Sequence, residues 1–277
     1  MQFAPSVYYD IKSRPPSRRS VSDAELKVKV AKIYRDNFSC YGAEKIWRAL
    51  QREGIACGRD RVARLMGELG IAGVVRGKPR RTTLPDRAAE RPADMVKRHF
   101  AAPAPNKIWV ADITYVRTAQ GFAYAAFVID VFARMIVGWA VSASLRADLA
   151  INALEMALFA RAGQDLSALV HHSDRGSQYL SVRYTERLAA EQAVTSVGSK
   201  GDSYDNALAE TVNGLYKAEL VHRWSWRNAS HLELATAAWA SWWNNARLHS
   251  WCGWAPPAEH ETAFWGAKPS AEEGDAA

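Results

Sequence analysis

Three carboxylates stand out by their surroundings. Asp112 lies inside the apolar run KIWVADITYV, beside Val110, Ile113 and Tyr115. A carboxylate in so apolar a strand is costly without a partner or a metal. Asp174 ends the run SALVHHSD, after which the chain turns on Arg175 and Gly176. If the two runs form neighbouring strands, their backbones lie about 4.8 Å apart and the two carboxylates can share a cation. Glu210 falls in YDNALAETVNGLYKAEL, where Asn206, Glu210, Asn213 and Lys217 share one helical face and Tyr204, Leu208 and Leu215 another. That pattern is an amphipathic helix. Taken singly, Asp174 reads first as a solvated strand end and Glu210 as a solvated helix face. Taken together, the three are separated by 61 and 35 intervening residues, and Lys217 follows Glu210 by seven.

Other residues invite chemistry and are set aside on physical grounds. Asp130 in FVIDVFAR is read as structural, with Arg134 as its ion-pair partner. Asp202 and Asp205 precede the Glu210 helix, where helix capping accounts for an acid. His171 and His172 point to opposite strand faces, His172 on the side of Asp174. No third nitrogen ligand stands at a helical or hairpin spacing from them, which speaks against a zinc hydrolase. Tyr8 and Tyr9 lack the Arg/His constellation that a tyrosine recombinase requires.

The elements that must position these groups are legible along the chain. Three β-rich runs, KIWVADITYV, FAYAAFVIDVF and RMIVGWAVSAS, are joined by short turns. A helix (RADLAINALEMALFARAG), a fourth strand (SALVHHSD), a second helix (SVRYTERLAAEQA), a short fifth strand (VTSVGS) and the Glu210 helix follow. This α/β order predicts a mixed five-stranded sheet flanked by helices, the order of the ribonuclease-H-like fold. A Trp-rich helix, capped by Asn228 or Ser230, follows it, with Trp239, Trp242 and Trp243 expected in the core.

Ahead of this body lies a small all-α segment. Ser22 and Glu25 form an S-x-x-E capping box for a first helix that buries Leu26, Val30, Ile33 and Tyr34. A second helix from about Ala43 to Arg52 turns Ile46, Trp47 and Leu50 inward and stops at Gly54. A third, from about Arg59 to Leu69, buries Val62, Leu65 and Met66, leaves Arg59, Arg61 and Arg64 outward, and stops at Gly70. A short helix followed by an arginine-bearing one is the helix-turn-helix plan, though a plain three-helix bundle with a basic face fits the same pattern. The organisation read from the sequence is a helix-turn-helix-like domain at 20–75, a basic linker at 76–104 with a short helix near Asp94–His99, a catalytic core at 105–262 and a disordered tail at 263–277.

Charge divides the same way. Residues 1–100 hold 22 Lys/Arg and 11 Asp/Glu, a net of +11, and residues 101–277 hold 14 and 18, a net of −4, together +7. A basic segment beside a mildly acidic body points to nucleic acid. With 48% hydrophobic residues the chain can build a core, and wholesale disorder is excluded. Three separated cysteines, Cys40, Cys57 and Cys252, fit neither a cysteine zinc site nor a disulfide scaffold, and suit a reducing compartment. The most apolar stretch, Gly121–Leu145, is broken by Asp130 and Arg134 and reads as strands rather than a membrane span.

The blocks WVADITYV, HSDRGSQY and GDSYDNALAETVNGLYKAEL resemble the D,D(35)E motif blocks of bacterial insertion-sequence transposases, relatives of retroviral integrases. NNARLHSWCGWAPPAEHE resembles the block that follows in that group, with Cys252 where a leucine is usual and Trp251 in place of a small residue. The likeness runs from about Ser22 to Glu261 and is greatest to the second-frame (OrfB-like) product of elements encoded in two overlapping frames.

The resemblance implies that Asp112, Asp174 and Glu210 are catalytic and hold two Mg²⁺ ions, with Mn²⁺ as a substitute. Hard oxygen ligands suit such ions, which can serve both the attacking and the leaving oxygen of an in-line displacement. Water would cut the phosphodiester at an element end, and the freed 3′-OH would attack another phosphodiester, in some relatives the other end of the same element. Lys217, Asn213, Asn206 and Arg175 would contact DNA near the scissile phosphate, and Arg59, Arg61 and Arg64 would help grip the terminal inverted repeats. The expected partners are double-stranded DNA carrying those repeats, further copies of the chain on DNA, and an upstream-frame protein to which relatives are often fused. No membrane partner is expected, and the expected location is the bacterial cytoplasm at the nucleoid. The alternative is a DNA-binding half of a transposase that is catalytically insufficient without its upstream partner.

Overall fold

The computed structural model describes residues 14–77, 102–173, 179, 181–197 and 207–267. They group into two units, one ending at Val74 and one beginning at Val75. The expected linker helix near 94–99 and most of the C-terminal tail lie outside the described residues.

Among the described residues the first unit holds three helices, α1 (Arg18–Asp36), α2 (Ala43–Arg52) and α3 (Arg59–Glu68). Their apolar stripes, Leu26, Val30 and Ile33, then Ile46 and Leu50, then Val62, Leu65 and Met66, close on one another as their spacing requires. Trp47 is only half-buried, and its indole N–H donates to the Cys57 carbonyl at 2.8 Å. Tyr34 is also half-buried and donates to the Ala72 carbonyl. The capping box does not form. Ser17 caps α1 by accepting from the Ser20 amide at 3.2 Å, so the helix starts a turn earlier than Ser22 implies. Ser22 is helical, and its hydroxyl accepts from Arg61.

The second unit is built on β1 (Ile108–Thr118), β2 (Gly121–Asp130) and β3 (Met135–Ser142), an antiparallel meander. Then come α4 (Ala147–Ala160), β4 (Val170–Ser173), α5 (Val182–Ala190), β5 (Val194–Val197), α6 (Ala207–Glu219), α7 (Ala229–Asn245) and α8 (Pro257–Ala267). The sheet order is β3-β2-β1-β4-β5, with β4 parallel to β1 and β5 parallel to β4. This is the five-stranded mixed sheet that the strand and helix order predicts. Helix α8 runs to Ala267, five residues into the segment expected as tail.

The two sheet faces carry different cores. Trp109, Ala111, Ala126 and Val128 pack with Leu149, Ala153, Leu154 and Ala157 of α4 and with Tyr184 and Leu188 of α5. A Cβ on Gly138 of β3 would come within 2.1 Å of the Ala153 carbonyl, so only glycine lets α4 lie this close. On the opposite face Phe127, Tyr216 and Trp239 meet edge to face, with centroids 5.0 to 5.9 Å apart. Trp239, Trp242 and Trp243 are buried as expected, and Asn228 is the residue that caps α7.

Asp130 is fully buried, but its cation is not Arg134. Its oxygens accept from the amides of Asn106 and Phe132 at 2.8 and 2.9 Å, and Arg161 lies 3.6 Å away. Burial still pushes its pKa up. Arg134 instead stacks on Trp251 at 4.3 Å. Trp251 donates to the Phe132 carbonyl and the Cys252 thiol to that of Ala133, so both departures in the C-terminal block clasp the β2–β3 turn. Asn244 completes the clasp by pairing with both the N–H and the C=O of Ile136.

Candidate active site

The parallel ladder fixes where Asp112 stands. Its last rung among the described residues joins Ala111 to Ser173, and Asp112 is the next residue along β1. Beyond that rung, β1 has only β2 beside it among the described strands. Asp112 Oδ1 accepts from the Ile113 amide and Oδ2 from the Asn213 side-chain amide, both at 2.8 Å. The carboxylate is therefore held in one orientation from its own strand and from α6.

Helix α6 presents Glu210, Asn213 and Lys217 along one face, and the other side buries Leu208, Ala209, Val212 and Tyr216. Glu210 is exposed and sits in the first turn, where the helix dipole favours an anion. Asn213 is buried, and its Oδ1 has no hydrogen-bond partner among the described residues. Lys217 is half-buried, with its ammonium 4.6 Å from the centre of the Tyr115 ring. Burial holds its pKa below the usual lysine value, against the opposing pull of Asp112.

The far end of α6 is anchored by residues that sequence reasoning missed. Glu219 is buried and takes the Arg247 guanidinium through both oxygens, at 2.6 to 3.2 Å. Arg247 stacks on Trp243 at 4.4 Å and meets His249 Nδ1. Tyr216 donates to the Thr236 hydroxyl, which itself donates to the Leu232 carbonyl. Rotation of α6, and so the aim of Glu210 and Asn213, is set by α7 and the segment after it. The Arg and His of NNARLHS, two residues apart, were the available signal.

Other site expectations fare unevenly. Asp174, Arg175 and Asn206 lie outside the described residues. Asn213, expected on DNA, is on Asp112. His171 is buried against Tyr184, its Nε2 3.0 Å from the phenol oxygen, and burial takes its pKa down to about 4. In the first unit the three arginines are not bare. Arg61 and Arg64 both bind Asp23, at 2.7 and 2.6 Å, and Arg64 also meets Glu68. Arg59 pairs with Glu44 and Asp60. Arg18, Arg19, Ser22, Asp60, Arg61 and Arg64 line an open cleft of about 630 Å³.

Asp112 on β1 and Glu210 on α6, the helix that Asn213 ties to Asp112, carry the hard oxygen donors a divalent cation takes. The arrangement fits Mg²⁺ at Asp112 and Glu210.

Comparison with known proteins adds to this geometry. Residues 21–79 match the HTH-like domain family, and residues 102–203 and 192–257 match two integrase core domain families. A Mycobacterium tuberculosis chain assigned as the transposase of insertion sequence element IS986/IS6110 is 51% identical over 269 residues, which cover 96% of this chain and 97% of that one. The transposase for insertion sequence element IS629 of Shigella sonnei is 50% identical, over 96% and 90%. A solved simian T-cell lymphotropic virus intasome, in complex with PP2A regulatory subunit B56 gamma, aligns with 88% of this chain and 76% of its own at a TM-score of 0.50 and 15% identity, a likeness of fold. The chain belongs to the insertion-sequence transposases of the IS6110/IS629-like, OrfB-type group, with a helix-turn-helix region ahead of an integrase-like ribonuclease H core.

Proposed function

We propose that this transposase cuts DNA at element ends to free a 3′-OH and then joins that 3′-OH to a second phosphodiester, using Asp112, Asp174 and Glu210. The observation that carries the reading is the Asn213–Asp112 hydrogen bond, which sets the Glu210 face of α6 over the β1 carboxylate. Asp174 follows Ser173, the β4 partner of Ala111, so the ladder favours it as the third carboxylate. Asp112, Asp174 and Glu210 would hold Mg²⁺ or Mn²⁺, two ions in the full site. When bound, these supply electrostatic stabilisation of the charge that develops on the attacking and leaving oxygens.

The protein's own groups do the rest. Asn213 keeps Asp112 aimed through its side-chain N–H, and its amide oxygen, Oδ1, can accept from a donor in the site. Lys217 offers a cation to a phosphate beside Asp112. The first unit, with its arginine-lined cleft, would hold the inverted repeats. The domain limits proposed are 20–75 and 105–262 with a basic linker between, and further copies of the chain would pair two ends. Lys217, Arg175 and Asn206 remain proposed DNA contacts.

The test is a cleavage and joining assay on labelled DNA carrying the inverted repeat that flanks the coding sequence, with Mg²⁺ or Mn²⁺. Cleavage by the parent and none by Glu210→Gln or Asp112→Asn, with binding retained, is the expected result. Equal cleavage by parent and variants would sink it. Binding without cleavage by the parent would favour a chain that needs its upstream partner.

A further inference from the structure

Beside the carboxylates the sheet carries a feature that the cleavage reading does not use. Tyr115 on β1 and Phe122 on β2 are 61% and 54% exposed, and their rings meet edge to face at 5.8 Å. They share a sheet face with Tyr124, the cross-strand partner of Tyr115, and with Arg117, which is exposed. Lone exposed apolar residues are ordinary, but a cluster of aromatic rings at a strand pair marks a contact surface.

Position says what the contact is. The described β1–β4 ladder runs to Ala111 and Ser173, and from Asp112 onward the edge of β1 away from β2 has no partner among the described strands. Asp112 and Tyr115 face opposite sides of the sheet, and Lys217 spans that edge from the Asp112 side to the Tyr115 ring. From Asp112 to Tyr115 is roughly 10 Å of strand, about three nucleotides at the 3.4 Å spacing of stacked bases along one DNA strand. From Ile113 to Ile129 there is no Asp or Glu, and Arg117 and Lys217 flank the rings. Aromatic rings flanked by cations, on a strand pair with no carboxylate between Ile113 and Ile129, suit a nucleobase on a phosphate backbone. Every base has a π-face that stacks on such rings.

We propose that Tyr115 and Phe122 form a stacking platform for an unpaired base of the substrate strand, within about three nucleotides of the phosphate that is cut. The strand passes the edge of β1 away from β2, its backbone held at Lys217 and Arg117, and its base lies against the Tyr115 ring. The proposal rests on the cleavage reading for the place of the scissile phosphate. The platform would unstack the DNA end beside the carboxylates and so select ends that fray.

The test reads stacking without cleavage. The full chain carrying Glu210→Gln is mixed with an inverted-repeat duplex whose last three positions are unpaired, with 2-aminopurine placed at each in turn. Quenching at one of the three positions is expected. Tyr115→Ala or Phe122→Ala should abolish it and weaken binding to the unpaired end about tenfold, the scale of one lost stack. Tyr115→Phe should retain both, and melting temperatures should stay level because both side chains are exposed. Unchanged quenching and affinity in the two alanine variants would overturn the proposal. So would a loss in Tyr115→Phe as large as in Tyr115→Ala, since the ring survives that change. Cleavage plays no part in this readout, so failure of the platform and failure of the Glu210 reading are told apart.

Discussion

Asn213 of α6 donates its side-chain N–H to Asp112 Oδ2 of β1 at 2.8 Å, and this one bond joins the two elements that carry the described carboxylates. A partner that aims a ligand carboxylate typically contributes 10- to 100-fold in metal affinity or activity. Asn213→Ala is therefore expected to raise the Mg²⁺ concentration needed for half-maximal cleavage about tenfold or more. Asn213→Asp should do worse, because it sets a second negative charge against Asp112. A Mg²⁺ titration of cleavage that matches the parent in both variants would remove the positioning role.

The meander, the parallel strands, the Trp-rich core helix and the polar face of α6 were all legible, because each is written in local periodicity. What α6 faces was not. Helical spacing groups Glu210, Asn213 and Lys217, but it does not say that the middle one points at a strand 101 residues earlier. The same limit applies to the arginines of α3. Periodicity turns Arg61 and Arg64 outward, but Asp23, 38 and 41 residues away, is waiting on α1. Asp130 shows it again: the nearby Arg134 stacks on Trp251, and the cation within reach is Arg161. At Ser22 the S-x-x-E pattern misled, because Ser17 accepts from the Ser20 amide and so starts helix α1 earlier.

Glu219 and Arg247 form a buried pair that fixes the C-terminal end of α6. Removing one partner strands a buried charge, at a cost of about 3–5 kcal/mol. Arg247→Met should lower the melting temperature strongly, and Glu219→Gln with Arg247→Met should recover part of the loss. Because the pair also sets the rotation of α6, the double variant should fold yet cleave poorly. A double variant as active as the parent would show that the pair serves stability alone.

His171 gives the fold a defined acid sensitivity. Its pKa falls from 6.5 to about 4 through burial, so the native state keeps it neutral where the unfolded chain protonates it. Between those two values the unfolded state binds more protons, and stability is lost as pH falls from about 6.5 towards 4, levelling off below that. The cost reaches roughly 3 kcal/mol at 1.36 kcal/mol per pKa unit. His171→Gln, which keeps a hydrogen-bonding group beside Tyr184, should flatten that stretch of the curve of unfolding free energy against pH. An unaltered slope would assign the acid sensitivity to other groups.

The arginines of the first unit should separate by their partners. Arg64 is bound to Asp23 and Glu68, and the hydrogen bond from Arg64 is the largest influence lowering the Asp23 pKa. Arg18 is exposed on the rim of the same cleft. A phosphate contact contributes close to one unit of slope when log affinity is plotted against log salt. Arg18→Ala is therefore expected to reduce that slope by about one with little change in melting temperature. Arg64→Ala releases an acid as well as removing a base, so it should lower the melting temperature first and affect the salt slope less. If Arg64→Ala instead changes the slope by a full unit and leaves the melt alone, then Arg64 leaves Asp23 for a DNA phosphate on binding. The ion pairs of α3 would then be the resting state of a DNA-reading face.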